Sequence, residues 1–343
     1  MFRNIAYSEI LRPSELGIIL SYQCNIECKH CLYACGPEWK EWMTIDQVKE
    51  ALEMMSGWNH EFQVHHTGGE PFLNFPLLLE ATRLTREMGM RQFVETNAFW
   101  CTSEDKAYDW LGQLSAAGLD GILISCSPFQ AERVPLRRVL LAAKAAGDLL
   151  DYGGVGIYQS QWIQEVGKFS VDERVPIEDF VERYGAEEAG RMFWDRYALM
   201  DSGRSCYKLG HLTRKHPPDR FRRYNCRREM LYAHHSHIDL YGNYISWFCG
   251  GLRMGDWRDF DSMVDRYEQR DYPELMGILI NDGPYKLYEL AREKYGYSAL
   301  ENGYIGKCHL CVDVRKHLNS RGEFEELQPL HFYDLVDKQL LSG

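Results

Sequence analysis

Long apolar runs are missing from this 343-residue chain, and no stretch approaches the roughly 20 residues that cross a bilayer. The N-terminus also lacks the apolar segment of a secretory signal, because Met1 to Ile10 carry Arg3, Asn4, Ser8 and Glu9. Repeats of solenoid length and low-complexity tracts do not occur, which excludes repeat architectures. Positive charge is in short supply: 39 Lys and Arg against 50 Asp and Glu give a net charge of −11 and a pI near 5.6. That balance removes any global electrostatic case for nucleic acid or an anionic membrane as partner. A soluble, cytoplasmic protein is therefore expected. At 45% hydrophobic and 26% charged, the composition is that of a globular chain. Its length exceeds one ordinary core, so one large domain plus a smaller one is expected.

Cysteine, by contrast, is abundant, with eleven in all. In a reducing compartment these favour metal binding or catalysis over a disulfide framework. They fall into two groups: Cys24, Cys28, Cys31 and Cys35 near the front, then Cys226, Cys249, Cys308 and Cys311 toward the back.

Short apolar runs alternate with amphipathic stretches in the first half. Strands are predicted at residues 16–20, 62–66, 90–95, 121–125 and 155–158. Thr44 opens a helix with Gln47 three residues on, a capping-box pattern, and Ile45, Val48, Leu52 and Met55 mark its apolar face. Further helices are predicted from Phe75 to a stop at Gly89, from Ser103 to Gly118, and from Pro135 to Gly147. Repeated strand–helix units imply an α/β fold with a parallel sheet, either a (β/α) barrel or a doubly wound sheet. The pattern changes near residue 200. A hairpin is predicted from residues 237–240 and 243–247, turning at Gly242, and residues 273–295 read as helical with a break around Asn281–Pro284.

The front cysteines stand in the segment SYQCNIECKHC, a C-x3-C-x2-C spacing on the loop that leaves the first strand. Three thiolates there can hold three irons of a [4Fe–4S] cube and leave the fourth iron open to a chelating ligand. Structural zinc is the alternative, with Cys35 or His30 as a fourth ligand. One strand later comes Thr67-Gly68-Gly69-Glu70-Pro71, where glycines permit close backbone approach and a carboxylate can accept a charge-assisted bond from an ammonium.

In these two segments the chain resembles the radical S-adenosylmethionine (SAM) superfamily. The resemblance implies a partial (β/α)6 TIM barrel over residues 14–200, followed by a small α+β domain. It also implies a SAM-bound [4Fe–4S] cluster on Cys24, Cys28 and Cys31, and a SAM ammonium held at Gly68, Gly69 and Glu70. Thr96 and Asn97 after the third strand, and Ser125 after the fourth, fall where barrel enzymes place ligand contacts and are the expected ribose or carboxylate partners. The family usually has an aromatic residue where this chain has His30.

Cys226 and Cys249 bracket the predicted hairpin, and Cys308-His309-Leu310-Cys311 supplies a close pair. Four thiolates so spread can close around one metal centre. Their order resembles the twitch domain, the short form of SPASM, which implies an auxiliary [4Fe–4S] cluster over residues 201–320 with 321–343 as a C-terminal tail. A zinc knuckle is the alternative. Cys35, Cys101, Cys126 and Cys206 are expected to be buried thiols, with Cys126 able to face the site.

His65-His66 and His234-His235-x-His237 invite a metal reading. Neighbours on a strand point to opposite faces, however, so ordinary hydrogen-bonded histidines are expected. Residues 214–229, RKHPPDRFRRYNCRRE, hold seven Lys or Arg, which read equally as a solvated face or an anion site. The resemblance implies reductive SAM cleavage with a flavodoxin-like or ferredoxin-like donor, followed by hydrogen abstraction from substrate. Only 23 residues precede Cys24, which favours a small-molecule substrate, possibly anionic, over a peptide or protein. A non-catalytic iron–sulfur or zinc module that binds or transfers electrons is the reading from another class.

Overall fold

Apolar runs bounded by turn residues become strands at the expected places. The computed structural model describes residues 9–151 and 153–340, so the reading of Met1 to Ser8 lies outside them. The strands are β1 (Glu15–Ser21), β2 (Gln63–Gly68), β3 (Arg91–Thr96), β4 (Gly121–Ser125) and β5 (Val155–Tyr158), then β6 (His235–Asp239), β7 (Asn243–Ser246) and β8 (Gly255–Asp256). They form one sheet in the order β5-β4-β3-β2-β1-β6-β7-β8. The first six positions are parallel, and the last two strands run antiparallel as the predicted hairpin and its extension. Leu16, Ile18, Ile19 and Leu20 of β1 are wholly buried, as a central parallel strand covered on both faces requires. The sheet does not close on itself; it is a partial barrel with β5 and β8 at its edges.

The helices follow from local signals. Ile45–Ser56 begins at Thr44 with both halves of the capping box formed, and buries Val48, Ala51, Leu52 and Met55. Gln47 also donates to Leu240 O at 3.0 Å, tying this helix to the hairpin turn. Phe75–Glu87 and Glu104–Ala116 stop before Gly89 and Gly118 as expected. The fourth main helix does not stop at Gly147 but runs Leu136–Leu149. A glycine inside a helix costs only about 1 kcal/mol, and burial of Val139, Ala142, Ala145 and Ala146 on one face offsets it. Residues 273–295 divide at the expected break into Glu274–Asn281 and Pro284–Tyr295.

Residues beyond 200 share the sheet and the core with those before it. β6 pairs with β1 along five residues, and Arg204 donates its backbone N–H to Cys31 O at 3.0 Å. The C-terminal stretch also packs down: Phe332 and Val336 are buried, and Lys338 reaches Glu27 at 2.7 Å. No helix among the described residues is long and apolar enough to cross a membrane.

Thr44→Ala should remove the cap of the first helix and lower the unfolding free energy by about 1 kcal/mol. The expected signature is a lower urea midpoint at constant slope; an unchanged midpoint would show that tertiary packing alone holds this helix.

Candidate functional site

The end of β1 and the end of β2 are pressed together by two glycines. A Cβ at Gly68 would sit 2.1 Å from Ser21 O, and one at Gly69 would sit 2.1 Å from Gln23 O. Gly69 N and Glu70 N then donate to Ser21 O and Gln23 O at 2.8 and 3.0 Å. These glycines therefore accommodate the backbone of the cysteine loop, not only a ligand. Cys24 is buried, Cys28 and Cys31 are partly exposed, and none is in a disulfide. Cys35 donates its backbone N–H to Cys31 Sγ at 3.3 Å. The Cys35 thiol bond, helped by the nearby Arg204 guanidinium, pulls the Cys31 thiol down to about 6. Burial pushes the Cys24 and Cys28 thiols up. His30 meets the Phe129 ring at 4.7 Å between centroids, so it fills the usual aromatic position by packing.

Glu70 lies under this loop, 1% exposed. Its Oε1 accepts from Thr96 Oγ1 at 2.8 Å and Phe72 N at 3.2 Å, and its Oε2 accepts from Asn97 N at 2.7 Å. Burial raises its carboxyl to about 7, against the pull of those donors. A carboxylate offers about four lone-pair directions, so one on Oε2 stays available. The Thr96 hydroxyl donates to Glu70 and accepts from Ala98 N and Trp100 Nε1, both at 3.0 Å. Those three bonds fill its capacity, so its hydroxyl orients Glu70. Asn97 donates its side-chain amide to Asn25 Oδ1 at 3.0 Å and toward Cys24 Sγ at 3.7 Å. Ser125 stands opposite Tyr158 at the end of β4.

Cys226, Cys249, Cys308 and Cys311 come together at the back. Cys308 and Cys311 lie one turn apart on the helix Lys307–Asn319, and the Cys226 thiol lies within electrostatic reach of Cys249 and Cys311. Lys307 Nζ approaches Cys226 Sγ at 3.6 Å. Arg315, 2% exposed, donates to Gly250 O at 3.0 Å and Tyr333 OH at 2.9 Å and lies within electrostatic reach of Cys311 and Cys249. No carboxylate lies within 4.0 Å of it among the described residues. The basic run contributes little here: Arg222 donates to Tyr285 OH at 2.7 Å and stacks on its ring, while Arg223 and Arg228 are exposed. Cys35, Cys101, Cys126 and Cys206 are buried, as expected.

The histidines divide. His66 is an ordinary buried histidine, bonded to Gln92 Oε1 at 3.0 Å and Thr85 Oγ1 at 3.2 Å. His65 departs from that expectation, because it faces the other side of the sheet and meets His235 and His237 across Gly17. Residues two strands and 170 positions apart give no sequence signal of such a meeting. The same holds for Arg204, which is wholly buried and donates to Cys35 O and Ala34 O at 2.8 and 3.0 Å, with Glu27 at 3.7 Å. Lys307, by contrast, was within reach of a sequence argument, since it precedes Cys308 directly.

Comparison with known proteins places this geometry in context. Residues 18–139 match the Radical SAM superfamily. A 117-residue stretch is 25% identical to YydG of Bacillus subtilis (strain 168), a protein named for peptide biosynthesis. The match covers 34% of this chain and 36% of YydG, about a third of that relative's length. Among solved structures, BtrN in complex with AdoMet and 2-DOIA is 12% identical at a TM-score of 0.42, over 80% of this chain and 89% of that one. Streptococcus suis SuiB bound to precursor peptide SuiA is 15% identical at a TM-score of 0.39, over 87% and 76%.

Arg204→Met should lower the unfolding free energy by about 3 kcal/mol, because it strips two loop carbonyls of their donor and Glu27 of a buried cation. Equilibrium unfolding in urea measures this, and a midpoint within error of the parent would exclude Arg204 as the support of the cysteine loop.

Proposed function

We propose, from the premise that residues 18–139 form a radical SAM domain, that this chain cleaves SAM reductively and abstracts hydrogen from a peptide or protein side chain. The observation that carries the first half is the convergence of Cys24, Asn97 and Glu70 where β1, β2 and β3 end side by side. Loaded with a [4Fe–4S] cluster and SAM, such a site would supply one-electron chemistry for hydrogen abstraction, with the electron drawn from a flavodoxin-like or ferredoxin-like donor.

The residues present fit that load. Cys24, Cys28 and Cys31 would hold the cluster, with Cys35 and Arg204 favouring the ionised Cys31 that metal binding needs. Glu70, kept in place by Thr96 and Asn97 N, would take the SAM ammonium on its remaining lone pair, where a charge-assisted bond is strong. Gly68 and Gly69 hold that carboxylate against the loop, and Ser125 on β4 would face the rest of the ligand.

An auxiliary cluster on Cys226, Cys249, Cys308 and Cys311 draws its support from charge. A buried guanidinium without an acid partner is costly, and ionised, metal-bound Cys311 and Cys249 would balance Arg315, while Lys307, paired with Glu229 at 3.1 Å, adds positive charge beside Cys226. Its role would be to accept an electron from the substrate or to bind it. The peptide reading rests on the stretch shared with YydG. An anionic small metabolite has less support, since Arg222 is engaged with Tyr285 and its basic neighbours Arg223 and Arg228 face solvent.

Anaerobically reconstituted protein with dithionite and SAM should release 5′-deoxyadenosine, and Cys28→Ala should release none. Wild-type rates in that variant would reject the assignment. Glu70→Gln should weaken SAM binding about tenfold, the loss of one charge-assisted bond, at unchanged front-cluster iron; an unaltered dissociation constant in calorimetry would remove Glu70 as ammonium partner. Iron analysis should find about eight atoms per chain, halved in Cys308→Ala/Cys311→Ala, and stoichiometric zinc at the back site would overturn the auxiliary cluster.

A further inference from the structure

The inner face of the sheet carries an unusual concentration of imidazole. His65 on β2 and His237 on β6 both stand beside Gly17 of β1, in direct register with it, and His235 is two residues before His237 on the same face. A Cβ at position 17 would lie 2.4 Å from both His65 Nε2 and His237 Cδ2, so only glycine lets the two rings meet across the central strand. One ligand atom from each of His65, His235 and His237 lies within 4.8 Å of the others, and all three residues are buried.

Two of the rings are held as ligands would be. Nδ1 of His235 faces Glu15 Oε1 at 2.6 Å, and Nδ1 of His237 faces Tyr33 OH at 2.9 Å. A carboxylate or hydroxyl on the far nitrogen is the usual device that orients a metal-bound imidazole. The two Nε2 atoms are thereby turned toward each other at 3.1 Å. That spacing is close to the tetrahedron edge of about 3.3 Å that follows from metal–nitrogen bonds of roughly 2.05 Å. A single proton between these two nitrogens could account for the pair, but not for His65. His65 is wholly buried and stacked on Phe93, and neither ring nitrogen has a hydrogen-bond partner among the described residues. Glu15 and Glu95 stand 3.9 Å from its two nitrogens and add negative charge to the site.

We propose that His65, His235 and His237 form a binding site for a first-row divalent transition metal such as zinc or iron(II), distinct from both cysteine groups. Three imidazoles leave a coordination position for water or a substrate oxygen or nitrogen. The site lies on the lumen face about 10 Å, three residues of β2, below Gly68 at the strand end. A substrate group bound there would be oriented beneath the cysteine loop.

The test uses the full chain, its cysteine sites first loaded anaerobically with iron and sulfide and then dialysed against free zinc. Wild-type protein should hold one zinc per chain whose K-edge absorption shows a nitrogen and oxygen shell at about 2.0 Å with imidazole scattering. His65→Asn and His237→Asn should each weaken zinc binding at least tenfold with unchanged iron content. Absence of nitrogen-ligated zinc in the wild type, a shell of sulfur alone, or equal zinc in both variants would overturn the proposal. Either variant suffices if the other fails to fold, and the wild-type spectrum stands without them.

Discussion

Strand β1 is hydrogen-bonded to β2 on one side and to β6 on the other, and the remaining features depend on that double pairing. β2 comes from the first half of the chain and β6 from the second, so β1 is where the two halves become one sheet. The loop that leaves its C-terminal end inherits neighbours from both. From one side Gly68 and Gly69 press on its backbone, and from the other Arg204 binds its carbonyls. A loop that carries three thiols needs such support, since its polar backbone would otherwise be free to move out into water.

Charge is managed locally, against a net of −11 for the chain. The cations nearest the thiols are single, buried or half-buried residues: Arg204 at the front, Lys307 and Arg315 at the back. Arg204 has Glu27 at 3.7 Å and Lys307 has Glu229 at 3.1 Å, whereas Arg315 has no carboxylate partner among the described residues and would be balanced by ionised thiols beside it. The conspicuous basic run at residues 214–229 has the opposite character, with much of its charge in solvent. Local charge density in the sequence was thus a poor guide to where charge matters, because burial sets the strength of each interaction.

The inner face of the sheet combines groups that alternate along their strands and were spaced far apart in the chain. Glu15, His65, Glu95, His235 and His237 share one face, while Leu16, Ile18, Val64, His66 and Val94 lie on the other, against the helices. The period of two made His65 and His66 distinguishable in principle. It could not say which face was the lumen, nor that β6 would lie beside β1.

Local order was legible from the sequence alone because its causes are local. Thr44 and Gln47 cap a helix through bonds three residues apart, β4 and β5 stand at their expected residues, and the break at Asn281–Pro284 follows from proline geometry. The cysteine spacing and the Gly-Gly-Glu turn were legible for the same reason, as each is a contiguous segment whose chemistry is set by residue type. Where neighbours from distant parts of the chain decide the outcome, the sequence was silent. Gly147 could have ended a helix, but burial of the face around it carried the helix on. The engagement of the Thr96 hydroxyl with Glu70, Ala98 and Trp100 likewise depends on residues brought together by the fold. Arg204 beneath the cysteine loop and the three histidines over Gly17 exist only in the folded chain, because the pairing of β1 with β6 joins residues about 220 positions apart in the sequence.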